Sequence, residues 1–146
     1  MIKDKFYSIA DQANEPLLPP VAKAEVPFIN FSALQNAVAN LGISADALNT
    51  LINSADLSIE KKNELNRQLF KAEQVLLTKD GLPRRGWYKH ALYAPGFFTG
   101  YGVKTLPGIR EAIEQRNWKE AQEQIEIDAA TINNLSLYLA AAAGVK

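Results

Sequence analysis

Residues 81–109 constrain the fold more than any other stretch of this chain. The segment GLPRRGWYKHALYAPGFFTGYGVKTLPGI contains three of the seven prolines and six of the eight glycines. Glycine is entropically costly inside a helix, and proline removes a backbone donor, so the segment cannot be a regular helix interior. Its aromatic content argues against disorder. We therefore expect an ordered, irregular connection, here named the crossing segment, and connections of this length are usually functional.

The sequence on both sides of the crossing segment favours helices. Apolar residues recur at alternating steps of three and four over 31–55, 59–76 and 118–142, which is the spacing of helices in left-handed bundles. The first of these seams consists of Phe31, Leu34, Val38, Leu41, Ala45, Leu48, Ile52 and Ala55. Because the seam keeps its phase across Gly42, the spacing predicts one continuous helix.

Helix-start signals stand at the expected places. Asn30 and Ser58 are predicted N-caps, and Pro107 is typical of a first helical turn. Asn117, with Glu120 three residues later, predicts a new helix start. A short amphipathic helix is also predicted over 2–13, followed by an extended, proline-containing stretch.

The pattern as a whole predicts an all-α fold and a single domain. We expect a four-helix up-and-down bundle over 30–146, with the crossing segment as a long irregular connection between its second and third long helices. Residues 1–29 form the short helix and the extended stretch that precede it. No alternating strand pattern is convincing. Asp128 falls on the apolar seam of the last helix, so its carboxylate needs a partner or a place near the bundle end.

Composition excludes several classes of function. Sixteen basic residues balance sixteen acidic ones, so nothing in the net charge favours a nucleic-acid partner or an anionic membrane. No apolar run approaches the ~18 residues of a membrane helix. There is no cysteine, His90 is the single histidine, and neither an HExxH nor a GxSxG motif is present. The sequence therefore predicts no metal site and no catalytic residue in this chain.

Charge is unevenly distributed around the crossing segment. Lys79, Arg84, Arg85 and Lys89 form a basic cluster, and residues 111–128 contain six acids against two bases. The simplest interpretation is two solvated faces that attract one another. His90 is interpreted as a structural histidine, with a supporting role at an interface as the alternative. The aromatic residues either pack the crossing segment onto the helices or lie exposed at an interface, where aromatics are enriched.

The pattern GLPxRxxYxHxxYAP, followed by a spacer, Tyr101 and LPGI, resembles the C-terminal segment of the glutamate carboxypeptidase and transferrin receptor family. The resemblance extends more weakly to KFYSIA, to FSAL and to WKEAQEQIEIDAATI in the last helix. It implies the helical dimerisation domain of a larger zinc peptidase-like parent, with the zinc in the parent's peptidase domain and no cofactor here. The implied partners are a second copy and that peptidase domain, and the parent's compartment stays open. The implied interface or structural-motif residues are Trp87, Tyr88, His90, Tyr93, Pro95 and Pro107.

In the glutamate carboxypeptidases of this family, the loop after YAP also supplies a Lys-Tyr pair to the pocket for the substrate's C-terminal glutamate. Equal spacing places Gly100 and Tyr101 at those positions, so Tyr101 is the candidate substrate-binding residue and the lysine is absent. Lys104, three residues away, is a second candidate. The alternative interpretation of the whole chain is a non-catalytic interaction module, either receptor-like or a helical adaptor.

Overall fold

The computed structural model describes residues 21–54 and 57–144. The helix predicted over 2–13 lies outside these residues. Residues 21–30 have no regular secondary structure, which agrees with the extended stretch predicted before the first long helix. They run beside the later helices, because Arg116 Nη2 donates to the Ala24 carbonyl and Asn30 exchanges hydrogen bonds with the Gln122 side chain.

Helix α1 (Ser32–Ile52) is continuous through Gly42, as predicted. The Asn30 carboxamide accepts from the Ser32 amide at 3.0 Å. The N-cap position is Phe31, so the prediction of Asn30 as the N-cap was wrong by one residue. The buried face is Leu34, Ala37, Ser44 and Leu48. The predicted seam was therefore partly wrong, since Val38, Ala45 and Ile52 are exposed, and its last residue, Ala55, lies outside the described residues.

There is a steric reason why Ala37 and Ser44, and not Val38 and Ala45, lie on the buried face. α1 packs along α4 (Trp118–Ala143), and the two helices run parallel: Asn40 bonds Asn133 and Ser44 bonds Ser136. Small side chains let the two helices approach closely. The main core lies between them and also includes Ile109.

Helix α2 (Ile59–Lys71) begins at the predicted cap, where Ser58 Oγ accepts from the Lys61 amide. It ends earlier than its seam suggests, and a 3₁₀ helix (Ala72–Leu76) continues the chain. Leu65 packs with Leu48 of α1 and Ala142 of α4 in a second core cluster. This cluster joins the C-terminal ends of α1 and α4 to the middle of α2.

The crossing segment contains a two-stranded antiparallel ribbon, which the sequence did not predict. Strand β1 (Tyr93–Pro95) pairs with β2 (Val103–Thr105), with Ala94 opposite Lys104. Each strand has only three residues, so alternation could not be recognised. Within the described residues the two strands pair only with each other.

Helix α3 (Pro107–Glu114) has its proline in the first turn, and α4 begins after Asn117, whose side chain accepts from the Glu120 amide. Both predicted starts are confirmed. The described residues are mostly helical, as expected. The up-and-down order of four helices is not confirmed, because α3 has only eight residues and α1 runs parallel to α4, whereas the first and fourth helices of an up-and-down bundle are antiparallel. Within residues 21–54 and 57–144, no helix combines the length and apolarity needed to cross a membrane.

Candidate functional site

A buried ion pair lies at the centre of the crossing segment. Arg85 Nη2 donates to Glu111 Oε1 of α3 at 2.6 Å, and the two side chains are 3% and 2% exposed. Arg85 Nη1 donates to the Pro95 carbonyl, and the same Glu111 oxygen accepts from the Phe97 amide at 2.8 Å. The guanidinium also lies 5.4 Å from the Tyr88 ring centroid. These contacts connect the turn before β1, the end of β1 and helix α3.

Two further ion pairs attach the crossing segment to the helices. Arg84 binds Glu120 of α4 in a bidentate pair at 2.9 and 2.8 Å, and Lys104 Nζ lies 2.6 Å from Glu114. The Glu120 hydrogen bond raises the pKa of Arg84 above its ordinary value. The predicted attraction between the two charged regions is therefore confirmed. The expectation that both faces are solvated was wrong for Arg85, Glu111 and Asp128, which are buried.

The loop between the two strands, residues 96–102, is named the tip loop. Phe98 and Tyr101 on it are exposed, with Tyr101 fully so. Gly100 has φ of 63°, a left-handed conformation that side chains disfavour, directly before Tyr101. Lys104 differs from Tyr101: its ammonium points inward to Glu114. The structure thus separates the two candidate substrate-binding residues.

The six predicted interface or motif residues fall into two groups. Trp87 and Tyr93 are exposed, so they are available to a partner surface. The other four residues have internal contacts. Tyr88 lies beneath Arg85, Pro95 supplies a carbonyl to it, Pro107 is buried, and His90 Nδ1 accepts from the Tyr93 amide at 3.1 Å.

A second surface feature is the groove between the parallel helices α1 and α4. Its floor is polar, with Ser44 Oγ and Ser136 Oγ 2.8 Å apart. Its rims are apolar, because Ile43 and Leu137 are 71% and 69% exposed. The groove encloses about 460 Å³. A shallow groove with apolar rims and a small-residue floor suits a packed helix.

Asp128 is the third unusual feature. Its side chain is buried on α4, and Oδ2 has no hydrogen-bond partner among the residues that the structure describes. Burial raises the pKa of this carboxyl from 3.8 to about 7. The sequence indicated that a carboxylate here needs either a hydrogen-bonding partner or a position near the end of the bundle. Asp128 lies in the middle part of α4, and its Oδ2 has no such partner among the described residues.

Sequence reasoning missed Glu111, which entered only as one of six acids. A usable signal was present: Glu111 and Glu114 are three residues apart in a short helix that directly follows a glycine-rich loop, so both lie on the helix face beside it. The groove floor was also missed, because serines at positions 44 and 136 interrupt the apolar seams. Among the described residues, no three histidine, cysteine or acidic side chains converge in an arrangement that could hold a metal ion.

Comparison with known proteins agrees with these features. The family model described as the transferrin receptor-like dimerisation domain matches residues 29–140. The match begins one residue before Asn30 and ends inside α4, so it covers the helices, the ribbon and the tip loop.

Three relatives are informative. An Arabidopsis thaliana protein named as a probable glutamate carboxypeptidase is 34% identical over 118 residues, which is 76% of this chain and 17% of the relative. A protein of Arthroderma benhamiae with the same description is 31% identical over 73% of this chain and 15% of its own length. A Schizosaccharomyces pombe protein named as an inactive zinc metalloprotease is 31% identical over 51% of this chain and 10% of its own length. This chain thus spans less than a fifth of each relative.

Proposed function

Because this chain belongs to the transferrin receptor-like dimerisation domain family, we propose that it pairs two copies of a glutamate carboxypeptidase-like parent. The α1–α4 groove carries this proposal. Ile43 of one copy would pack against the Ser44–Ser136 floor of the other, and a two-fold axis would repeat the contact. Exposed aliphatic rims beside a small-residue floor are the self-complementary surface that such an interface needs.

Sedimentation of the 146-residue chain at high micromolar concentration tests this pairing. Ile43→Glu and Leu137→Glu should each weaken self-association at least about ten-fold, because a charge would be buried at the interface centre. Phe70→Glu is the matched control, since Phe70 is equally apolar and exposed but lies on α2. If Phe70→Glu alone abolishes pairing, the interface lies on α2 instead of the groove.

We also propose that this chain performs no catalysis itself and that zinc belongs to the parent's peptidase domain. One histidine and no cysteine are too few ligands for an ordinary zinc site. Calorimetric titration with zinc should show no stoichiometric binding. Tight one-to-one binding that His90→Ala abolishes would contradict the proposal.

In the intact parent, we propose that the tip loop contacts the peptidase cleft and that the Tyr101 hydroxyl donates to a substrate carboxylate. Full exposure of Tyr101 at the loop apex supports this role. A phenol is a neutral donor suited to a carboxylate. Lys104 fits the role less well, because reaching substrate would break its contact with Glu114. Tyr101→Phe should weaken substrate binding roughly ten- to hundred-fold without affecting the dimer.

The receptor-like or adaptor alternative remains a specific second candidate. A relative with the same domain is named as an inactive metalloprotease, so a non-catalytic parent is compatible with this fold. The reading frame upstream of Met1 discriminates the two proposals. Paired histidine and acidic zinc ligands there support a peptidase parent, and a domain without them supports an interaction module.

A further inference from the structure

The base of the tip loop is held by one carboxylate oxygen. Glu111 Oε1 accepts from the Phe97 amide at 2.8 Å and from Arg85 Nη2 at 2.6 Å. Arg85 in turn donates to the Pro95 carbonyl. The ion pair therefore binds the backbone on both sides of Gly96, at the residue where β1 ends and the tip loop begins.

A larger residue at position 96 would force the Thr99 side chain to move. A Cβ at this position would lie 1.9 Å from Thr99 Oγ1, so the backbone is folded tightly against the loop that follows. The Gly96 amide donates to the Gly102 carbonyl at 3.0 Å and closes the loop. The conformation at the loop base is thus set by Gly96 together with the Arg85–Glu111 pair.

The second strand is held from the same helix. Lys104 of β2 is buried, and its Nζ lies 2.6 Å from Glu114 Oε2. Glu111 and Glu114 are three residues apart on α3, so they project from one helix face. Glu111 therefore holds the chain just after β1 through the Phe97 amide and reaches Pro95 through Arg85, and Glu114 holds β2 through Lys104.

The apex of the tip loop has few contacts of its own. Phe98 and Tyr101 are exposed, and no described residue hydrogen-bonds the Tyr101 hydroxyl. The direction in which Tyr101 projects is consequently decided at the loop base. A buried ion pair is well suited to this task, because its geometry is more specific than that of apolar packing.

We propose that Glu111, acting through Arg85 and the Phe97 amide, is the positioning residue that orients the tip loop and Tyr101. This inference rests on the proposed contact between Tyr101 and substrate. Glu111 is buried and does not itself touch substrate. Glu114 and Lys104 form the second attachment of the same loop.

Amide hydrogen exchange of the 146-residue chain tests the orientation directly. Glu111→Gln keeps the side-chain shape but weakens both hydrogen bonds, because charged acceptors bind about twice as strongly as neutral ones. The Phe97 amide should exchange about ten-fold faster, and the tip loop should gain mobility. Glu123→Gln is the matched control, since Glu123 pairs with Lys119 on the exposed surface of α4.

Arg85→Lys provides a second variant in case Glu111→Gln does not fold. Lysine retains the charge but lacks the planar fork that reaches Pro95 and Glu111 together. It should loosen the tip loop in the same way. Unchanged Phe97 exchange in a folded variant of either kind overturns the inference.

Measurements of KM with the full-length protein distinguish this inference from the proposed function. Glu111→Gln and Tyr101→Phe should each raise KM, and the double variant should show no further increase, because the two residues act through one contact. Additive effects of the two substitutions overturn the positioning role. Full activity of Tyr101→Phe toward every peptide tested overturns the proposed substrate contact, whatever the exchange experiment shows.

Discussion

Asp128 should make the stability of this domain fall as pH rises. Burial raises the pKa of its carboxyl from 3.8 to about 7. Each tenfold change in an ionisation constant corresponds to ~1.4 kcal/mol, so ionising Asp128 in the folded protein costs about 4 kcal/mol more than in the unfolded chain. This is a large fraction of the ~5–15 kcal/mol that stabilises a typical domain.

The direction follows from proton counting. Below pH ~4 the carboxyl is protonated in both states, and its burial costs no ionisation energy. Between pH ~4 and pH ~7 the unfolded chain releases the proton while the folded protein retains it, so stability decreases with pH. Above pH ~8 both states are ionised and the contribution is constant.

Asp128→Asn removes this titration with little change in side-chain shape. Urea unfolding of the unsubstituted domain and of the variant from pH 4 to pH 8 measures the free energy of unfolding at each pH. The variant should gain stability relative to the unsubstituted domain as pH rises, by up to about 4 kcal/mol near pH 8. Because other acids titrate in both proteins, the difference between them is the relevant quantity. Glu126→Gln, at an exposed position of α4, should show no such gain.

If the free energies of unfolding of Asp128→Asn and of the unsubstituted domain change with pH in parallel, this reasoning is refuted. Such parallel changes would mean that the carboxylate is solvated or paired in solution. A gain at pH 4 as large as that at pH 8 would also refute it, because the effect would then come from packing and not from ionisation.

Four further substitutions test the buried ion pair, the core packing and a helix cap. Arg85→Met should destabilise the domain by ~3–5 kcal/mol, measured by urea unfolding, because it leaves Glu111 buried without its partner. Ile125→Ala should cost ~2–5 kcal/mol, since Ile125 is fully buried. Leu135→Ala should cost less than Ile125→Ala in the same assay, because Leu135 is only half-buried. Asn117→Ala should lower the melting temperature through loss of a cap worth ~0.5–2 kcal/mol.

Local signals in the sequence predicted the helix boundaries well. Ser58, Pro107 and Asn117 begin helices as expected, and the glycines and prolines of the crossing segment interrupt them. These signals depend on backbone donors, acceptors and torsion angles within a few residues. They can therefore be recognised without knowledge of tertiary contacts.

The buried face of α1 was decided by packing. Val38 is more hydrophobic than Ala37, and hydrophobicity alone favours burying it, yet Ala37 is buried and Val38 exposed. The parallel approach of α4 selects small side chains, and the direction of α4 depends on the whole path of the chain. The three-residue strands of the ribbon were equally inaccessible to pattern analysis, because their partner lies across the tip loop.

The sequence by itself determined that basic residues near position 85 would meet acids after position 110. It could not decide which arginine is buried. Arg84 and Arg85 are chemically identical neighbours, but Arg84 has φ of 64° and its side chain extends along the surface to Glu120. Arg85 points inward to Glu111 and is covered by the ribbon and α3. Desolvation depends on the elements that surround a side chain, so only the tertiary structure could assign it.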